Sequence, residues 1–139
     1  MNTKKTICWI TVICIMVFGL ASFTLAASVE EMAKKEGKLI FYTSMDSKTA
    51  NKLGQNFQAK TGIKTEVFRS GTGKVLAKVE AEFAADKYMW DVCQVSDLAP
   101  FIIWARKGML EKYKPEGFDK FFDFMKDPDG YWLEVVPVR

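Results

Sequence analysis

The sequence predicts an α/β fold with a mostly parallel sheet and helices on both faces. Strand-like and helix-like segments alternate along the chain, the first strand segment is apolar throughout, and glycine or proline marks many of the boundaries. A wholly apolar strand is typical of burial on both faces, and this alternation is typical of parallel strands joined by right-handed helical crossovers. With 139 residues, 49% of them hydrophobic, the chain can build one domain-sized core.

The first helix is predicted from residue 29, because Ser28 and Glu31 have the spacing of a capping box. The apolar run 39–42 predicts the first strand. A helix closed by Gly62 follows, since its apolar positions recur at helical spacing. Those positions are Ala50, Leu53 and Phe57.

Two further strand and helix pairs follow. Residues 63–68 alternate between apolar and charged side chains, which predicts a strand with one wetter face, and the turn cluster 70–73 leads into a helix. Residues 91–95 predict the third strand, and Asp97 is suited to cap a helix that ends at Gly108. The first of these helices carries its apolar residues on one side, at Val75, Leu76, Val79 and Phe83, and the second carries Phe101, Ile102 and Trp104.

The last part of the chain predicts a helix over 118–125, a tight turn at 127–130 and an extended segment over 131–138. Because Pro137 has no backbone N–H to donate, the end of that segment is expected at the edge of the sheet or outside it. The predicted helix would bury one face, formed by Phe118, Phe121, Phe122 and Met125.

Residues 1–27 are predicted to be a signal peptide. Lys4 and Lys5 precede an apolar stretch over 7–20, and small residues follow it, so that cleavage is expected beside Ala27. An uncleaved membrane anchor is the alternative, because the uncharged stretch approaches the ~20 residues of a spanning helix. Either way, residues 28–139 are expected to be exported.

Charge and composition exclude several classes of function. The net charge of +3 includes the two lysines of the signal, and the remainder carries 18 basic against 17 acidic residues. This near-neutral balance gives no reason to expect a nucleic-acid partner. Outside residues 1–27, Cys93 is the single cysteine, so it has no partner for an intramolecular disulfide. The sequence contains no histidine, which removes the commonest general base and metal ligand.

The sequence predicts no enzyme and no resident cofactor. The segment 71–74, Gly-Thr-Gly-Lys, differs from a phosphate-binding P-loop, which needs glycine at 68 and a hydroxyl residue at 75, where this chain has Phe68 and Val75. No Gly-x-Ser-x-Gly motif is present, and no nucleophile–base pair can be assembled. A secreted hydrolase is therefore the weakest interpretation.

Polar clusters follow each of the three predicted strands, at 43–46, 70–74 and 96–97. In an open parallel sheet, ligands bind beyond the carboxyl ends of the strands, and each cluster also precedes a helix whose free N–H groups favour an anion. Ser, Thr, Asp and Gly are equally ordinary in caps and turns, so the convergence of the clusters matters more than any one of them. The candidate ligand-binding residues are Thr43, Ser44, Asp46, Ser70, Gly71, Thr72, Ser96 and Asp97.

Several segments, in this order, resemble the extracellular solute-binding proteins of bacterial ABC importers (family 1), in particular those of the ferric-iron-binding type. The resemblance covers nearly all of residues 28–139, and no single motif in it is diagnostic. The segments are 33–44, 57–64, 69–78, 90–92, 96–97 and 107–113.

This resemblance implies a type II periplasmic-binding fold, in which two α/β lobes close over a solute and present it to an inner-membrane permease. The solute would be ferric iron or another small anionic solute, as cargo and not as a cofactor. Asp46 and Asp97 stand where ferric-binding relatives have a histidine and an acidic residue, which makes these two aspartates the candidate metal ligands.

Residues 28–139 correspond to the first lobe of such a protein, and the second lobe is missing from the sequence. The interpretation is a truncated or split product that is located in the periplasm. A secreted or membrane-anchored interaction domain with no small-molecule ligand is the alternative function.

Overall fold

The structure is a computed structural model that describes residues 28–135. The chain divides after Glu36 into two compact units, and the described part of the first is helix α1, Val29–Glu36. Its start is capped reciprocally: the Glu31 N–H donates to Ser28 Oγ over 3.2 Å, and the Ser28 N–H donates to the Glu31 carboxylate over 3.0 Å. The capping box predicted from the sequence is confirmed.

The second unit contains a parallel three-stranded sheet with the strand order β2-β1-β3. Phe41 in the central strand is level with Val67 on one side and Val92 on the other. The elements follow the predicted alternation, which confirms the α/β fold with a mostly parallel sheet. They are β1 Lys38–Thr43, α2 Ser47–Thr61, β2 Lys64–Arg69, α3 Thr72–Ala84, β3 Val92–Gln94 and α4 Ala99–Arg106.

Helices α3 and α4 cover one face of the sheet, which we call the α3–α4 face. Its buried cluster joins Tyr42 of β1 to Val75, Val79 and Trp104 of the two helices. The two valines and Trp104 are fully buried, as the predicted apolar positions required. Burying one such side chain contributes about 1.5–3 kcal/mol, so this cluster is a large part of the stability of the unit.

Helix α2 covers the opposite face, which we call the α2 face. Gly54 allows the close approach, because a Cβ at this position would lie 3.1 Å from Cγ2 of both Thr65 and Val67. The three apolar positions of this helix, Ala50, Leu53 and Phe57, are covered to different extents. Ala50 is buried, but Leu53 is 50% exposed and Phe57 is 36% exposed, because the helix contacts the sheet through Ala50 and Gly54.

The predicted helix over 118–125 was wrong. The structure has two short 3-10 helices, Phe118–Lys120 and Asp123–Met125, with extended backbone between them. Met125 and Asp127 form antiparallel backbone hydrogen bonds with residues 132–134, which requires extended backbone and excludes a continuing α-helix. Phe122 is consequently 68% exposed rather than buried.

The predicted turn at 127–130 is confirmed. The Gly130 N–H donates to the Asp127 carbonyl over 2.9 Å, and the Asp127 carboxylate accepts from the Asp129 N–H over 3.0 Å. Over 131–135, the extended segment forms one isolated bridge, Lys126 with Leu133, rather than a strand. Its predicted end, residues 136–138, lies outside the described residues.

The predicted signal peptide, residues 1–27, lies outside the described residues, so it stays a prediction, as does the 28–139 domain boundary. Within residues 28–135, no helix has the length and apolar character that crossing a bilayer requires.

Candidate functional site

The turns that follow the three strands meet at the carboxyl edge of the sheet. The Ser44 N–H donates to the Gln94 carbonyl over 3.0 Å, which ties the turn after β1 to β3. The Ser70 N–H donates to the Thr43 carbonyl over 3.1 Å, which ties the turn after β2 to β1. The structure therefore gathers at one edge the polar residues that are distant in the sequence.

Side chains link the second and third turns directly. Thr72 Oγ1 and Ser96 Oγ lie 3.3 Å apart, a hydrogen bond in which either hydroxyl can donate. Thr72 is partly exposed and Ser96 is exposed, so both hydroxyls are close to solvent at this edge. A hydroxyl pair of this kind can both donate to and accept from a polar solute.

Thr43 is placed differently from the other candidates. It is fully buried, and its hydroxyl donates to Gln94 Oε1 over 2.6 Å and accepts from the Met45 N–H over 3.1 Å. Both bonding directions of the hydroxyl are used within the protein. Thr43 therefore holds the turn after β1 in place and has no free group for a solute.

Three helices start at this edge, and side chains accept hydrogen bonds from the first N–H groups of α2 and α4 but not of α3. Asp46 caps α2 by accepting from the Thr49 N–H over 2.9 Å, and the Asp97 carboxylate accepts from the Ala99 N–H at the start of α4 over 3.1 Å. Gly71, the first residue before α3, has no side chain with which to cap. The first turn of α3 therefore keeps free N–H groups and the positive end of the helix dipole.

Arg69 adds a positive charge to the same edge. Its Nε donates to the Met45 carbonyl over 3.0 Å, so the guanidinium lies beside the turn after β1. The sequence analysis missed Arg69, although a basic residue directly before the Ser70 turn was the available signal. Gln94, which bonds Thr43 and the Ser44 N–H, was missed as well, because a strand residue gives no turn signal.

The two candidate metal ligands are carboxylates at helix starts. Hydrogen bonds from the Thr49 hydroxyl and backbone hold the pKa of Asp46 below its ordinary value, so this group is charged at neutral pH. Among residues 28–135, no three His, Cys, Asp or Glu side chains lie together as a metal-binding group. Whether Asp46 and Asp97 hold iron stays a prediction.

Cys93 is no candidate nucleophile or ligand. Its side chain is partly buried against the core of the α3–α4 face, and burial raises the pKa of its thiol to about 12. The thiol therefore stays protonated at neutral pH, whereas nucleophilic attack and metal binding both need the thiolate.

Comparison with known proteins gives distant relatives. No family model matches the chain. A protein of Haemophilus influenzae, described only as uncharacterized, is 29% identical over 112 residues, which is 78% of this chain and 32% of the relative.

Solved structures share the fold more clearly. Iron-bound HitA of Pseudomonas aeruginosa matches 69% of this chain and 31% of its own, with a TM-score of 0.61 and 26% identity. The periplasmic binding protein AfuA of Actinobacillus pleuropneumoniae, with fructose-6-phosphate bound, matches 68% of this chain and 29% of its own, with a TM-score of 0.59 and 29% identity. Trichodesmium FutA with iron and citrate has a TM-score of 0.58 over 70% of this chain and 30% of its own, and at 20% identity shows the fold alone.

AfuA is a periplasmic binding protein, and the matched part of this chain has the α/β fold of the corresponding part of these structures. The chain spans about a third of the length of the relatives that it matches. The predicted fold class is confirmed to this extent, and the likeness to solute-binding proteins of ABC importers supports the kind of function that the sequence predicted.

Proposed function

We propose that this chain is part of a periplasmic solute-binding protein that captures a small anionic solute at the carboxyl edge of β1, β2 and β3. The likeness to AfuA and HitA supports the class of protein. The solute is delivered to an inner-membrane ABC permease, and the chain acts without catalysing a reaction. Export through residues 1–27 puts it in the periplasm.

The observation that carries the proposal is the meeting of the three turns. The bonds from Ser44 to Gln94 and from Ser70 to Thr43, with the hydroxyl pair Thr72 and Ser96, hold three sequence-distant loops at one edge. Ligands of open α/β sheets bind at this position, which supports solute contact at this edge.

Hydrogen-bond donors and one cationic side chain favour an anion beside the start of α3. The uncapped start of α3 offers free N–H groups, and Arg69 supplies a fixed positive charge. The hydroxyls of Thr72 and Ser96 can donate to phosphate or carboxylate oxygens. Asp46 and Asp97 direct carboxylate oxygens to the N–H groups of Thr49 and Ala99, at the starts of α2 and α4 and not at the start of α3.

Ferric iron with an accompanying anion is the second candidate. Asp46 is exposed and its lowered pKa keeps it ionised, and charged carboxylates are suitable oxygen ligands for a hard cation. Under this alternative, Asp46 and Asp97 contact the iron and the helix starts contact the anion.

A titration followed by NMR tests the site. The purified, isotope-labelled protein is titrated with inorganic phosphate, fructose 6-phosphate and ferric citrate, and the amide signals are monitored. We expect the phosphates to shift the signals of Ser44, Ser70, Thr72 and Ser96. Binding should be weak, with a dissociation constant of about 1 mM, because one lobe encloses much less than the ~70–90% of ligand surface that small-molecule sites bury.

Two matched threonine variants provide the control. Thr72→Val removes a hydroxyl from the edge and should weaken phosphate binding about fivefold, whereas Thr65→Val removes a buried hydroxyl that has no hydrogen-bond partner and should leave binding unchanged. Shifts confined to other surfaces, or no shifts with any of the three ligands, would contradict the proposal and favour an interaction domain. Micromolar binding would contradict the expectation of half a cleft.

A further inference from the structure

A row of three polar side chains crosses the sheet at its carboxyl edge. Thr43 of β1 is level with Arg69 of β2 on one side and with Gln94 of β3 on the other. Level residues of neighbouring strands share a face of the sheet, so all three belong to the α2 face. Thr43 is fully buried, Gln94 is partly exposed and Arg69 is exposed. The row therefore has a buried hydroxyl at its centre and a longer polar side chain on either side.

Hydrogen bonds connect this row to the turn after β1. The Thr43 hydroxyl donates to Gln94 Oε1 over 2.6 Å and accepts from the Met45 N–H over 3.1 Å. The Met45 carbonyl accepts from Arg69 Nε over 3.0 Å. Both main-chain groups of Met45 are therefore held, one by the buried hydroxyl and the other by a side chain of β2. We call this set of three hydrogen bonds the Thr43 network.

Met45 lies between two candidate solute contacts. Ser44 precedes it and Asp46 follows it, and the Ser44 N–H donates to the Gln94 carbonyl over 3.0 Å. Gln94 thus bonds the turn through its main chain and, by way of Thr43, through its side chain. Because planar peptide bonds join Met45 to both candidates, a rotation of its backbone would displace them. A binding site needs its groups within about 0.5 Å of the productive arrangement, so such a displacement should weaken binding.

The bonds of the Thr43 network depend on one another. Hydrogen bonds in series polarise one another, so donation from Thr43 to Gln94 strengthens the acceptance of the Met45 N–H by the same oxygen. Loss of the hydroxyl would leave both the Met45 N–H and Gln94 Oε1 without these partners, which costs more than the loss of one bond. Gln94 therefore acts on Met45 through Thr43.

We infer that Thr43 and Gln94 are positioning residues of the solute site, which hold the turn after β1 in the arrangement that binds the solute. The inference rests on the proposed function and deepens it, because part of the affinity at the carboxyl edge then comes from side chains that act through Met45. Arg69 also supplies charge to the site, so the test uses Thr43 and Gln94 alone.

Three substitutions test whether the network holds the turn. Thr43→Val keeps the shape of the side chain and removes the hydroxyl, Thr43→Ser keeps the hydroxyl, and Gln94→Met removes the acceptor while the main-chain bond to Ser44 stays. Hydrogen exchange of the Met45 amide is followed by NMR. We expect exchange to be at least about tenfold faster in Thr43→Val, about threefold faster in Gln94→Met and near the wild-type rate in Thr43→Ser.

Titration of the same variants with inorganic phosphate measures the consequence for binding. Thr43→Val should weaken phosphate binding about fivefold and Gln94→Met about twofold, whereas Thr43→Ser should keep the wild-type affinity. Gln94→Met changes a partly exposed side chain, so it decides the test if Thr43→Val does not fold.

Thr61→Val is the matched control. The Thr61 hydroxyl also accepts from the N–H two residues later, that of Ile63, over 3.2 Å, and it donates to the Phe57 carbonyl over 2.8 Å. Thr61 precedes β2 and so lies at the opposite, amino edge of the sheet. Loss of its hydroxyl should lower the melting temperature without changing phosphate affinity, because the turn after β1 stays intact.

The outcomes separate this inference from the proposed function. If the wild type binds none of phosphate, fructose 6-phosphate and ferric citrate, the proposed function fails and the inference fails with it. If the wild type binds one of them, and Thr43→Val and Gln94→Met bind it equally well, the inference alone is wrong. An unchanged Met45 exchange rate in Thr43→Val would also overturn it, as would an equal loss of affinity in Thr61→Val, which would indicate an effect of general stability.

Discussion

The two faces of the sheet are covered to different extents. On the α3–α4 face, two helices bury Tyr42, Val75, Val79 and Trp104 almost completely. On the α2 face, one helix packs against β2, and Val92 of β3 is 45% exposed. Sequence composition alone does not distinguish the faces, since both helices α2 and α3 carry apolar residues at helical spacing.

The difference indicates which face of the sheet supplies most of the hydrophobic stabilisation. The buried cluster of the α3–α4 face supplies the hydrophobic stabilisation that holds the parallel strands together. The α2 face instead depends on the close approach at Gly54 and leaves Leu53, Phe57 and Val92 partly exposed. Substitutions on the two faces should therefore differ in magnitude.

The largest expected effect is that of Trp104→Ala. Trp104 is fully buried, so the substitution leaves a cavity and should lower the free energy of unfolding by about 3–5 kcal/mol. Phe57→Ala, a comparable aromatic truncation on the α2 face, should cost only about 1 kcal/mol because Phe57 is partly solvated. Urea denaturation of the two variants measures both losses.

The shift in the urea midpoint should be accompanied by an unchanged slope, which indicates that the denatured state is unaffected. Equal losses for the two aromatic truncations would mean that the faces contribute equally, and the proposed contrast would be abandoned.

A smaller effect is expected for Gly54→Ala. The added Cβ would lie 3.1 Å from two methyl groups of β2, so overpacking costs about 1–3 kcal/mol, partly offset by the gain of about 1 kcal/mol in helix propensity. The matched control is Gly73→Ala in α3, where a Cβ meets nothing within 4 Å. That variant should be as stable as the wild type or up to about 1 kcal/mol more stable.

Thermal melts of the two glycine variants provide the measurement. If Gly54→Ala melts at or above the temperature of Gly73→Ala, α2 can move away from β2 without loss, and the close approach does not determine how the α2 face is packed.

The smallest expected effect concerns the charge of Asp46. The folded-state pKa of Asp46 is lowered by its hydrogen bonds to Thr49, so its contribution is present above the unfolded-state pKa and is lost as the pH falls through the folded value. Asp46→Asn keeps a good cap without the charge. We expect the variant to be slightly less stable at neutral pH and the difference to vanish between about pH 5 and about pH 3.

Urea denaturation of both proteins across this pH range checks the sign. A difference that grows as the medium becomes more acidic would show that the carboxylate does not stabilise the start of α2.

Most of the fold could be predicted because the helix ends depend on local hydrogen bonds and on local backbone conformation. Ser28, Asp46 and Gly62 each mark a helix end through a hydrogen bond or a left-handed backbone that few residues provide. The segment 118–125 could not be predicted, because its apolar spacing suits one α-helix as well as two 3-10 helices. Only the pairing of the following residues with 132–134, a contact made in three dimensions, decides between them.

The site could be predicted in outline and not in detail. Parallel topology brings the carboxyl ends of strands to one edge whatever the side chains are, so the meeting of the turns followed from the fold class. The direction of each side chain did not follow. Thr43 lies level with Gln94 and turns its hydroxyl toward that side chain, and Arg69 bends back to the Met45 carbonyl. Both depend on strand register, which the sequence pattern left open.

The partly buried thiol of Cys93 in β3 provides a way to measure opening of the sheet. Because the thiolate is the nucleophile in alkylation, the partly buried Cys93 thiol, with its raised pKa, should react faster when β3 separates from its neighbours than in the intact sheet. The rate of Cys93 alkylation under native conditions therefore reports how often β3 separates from β1, and no label has to be introduced.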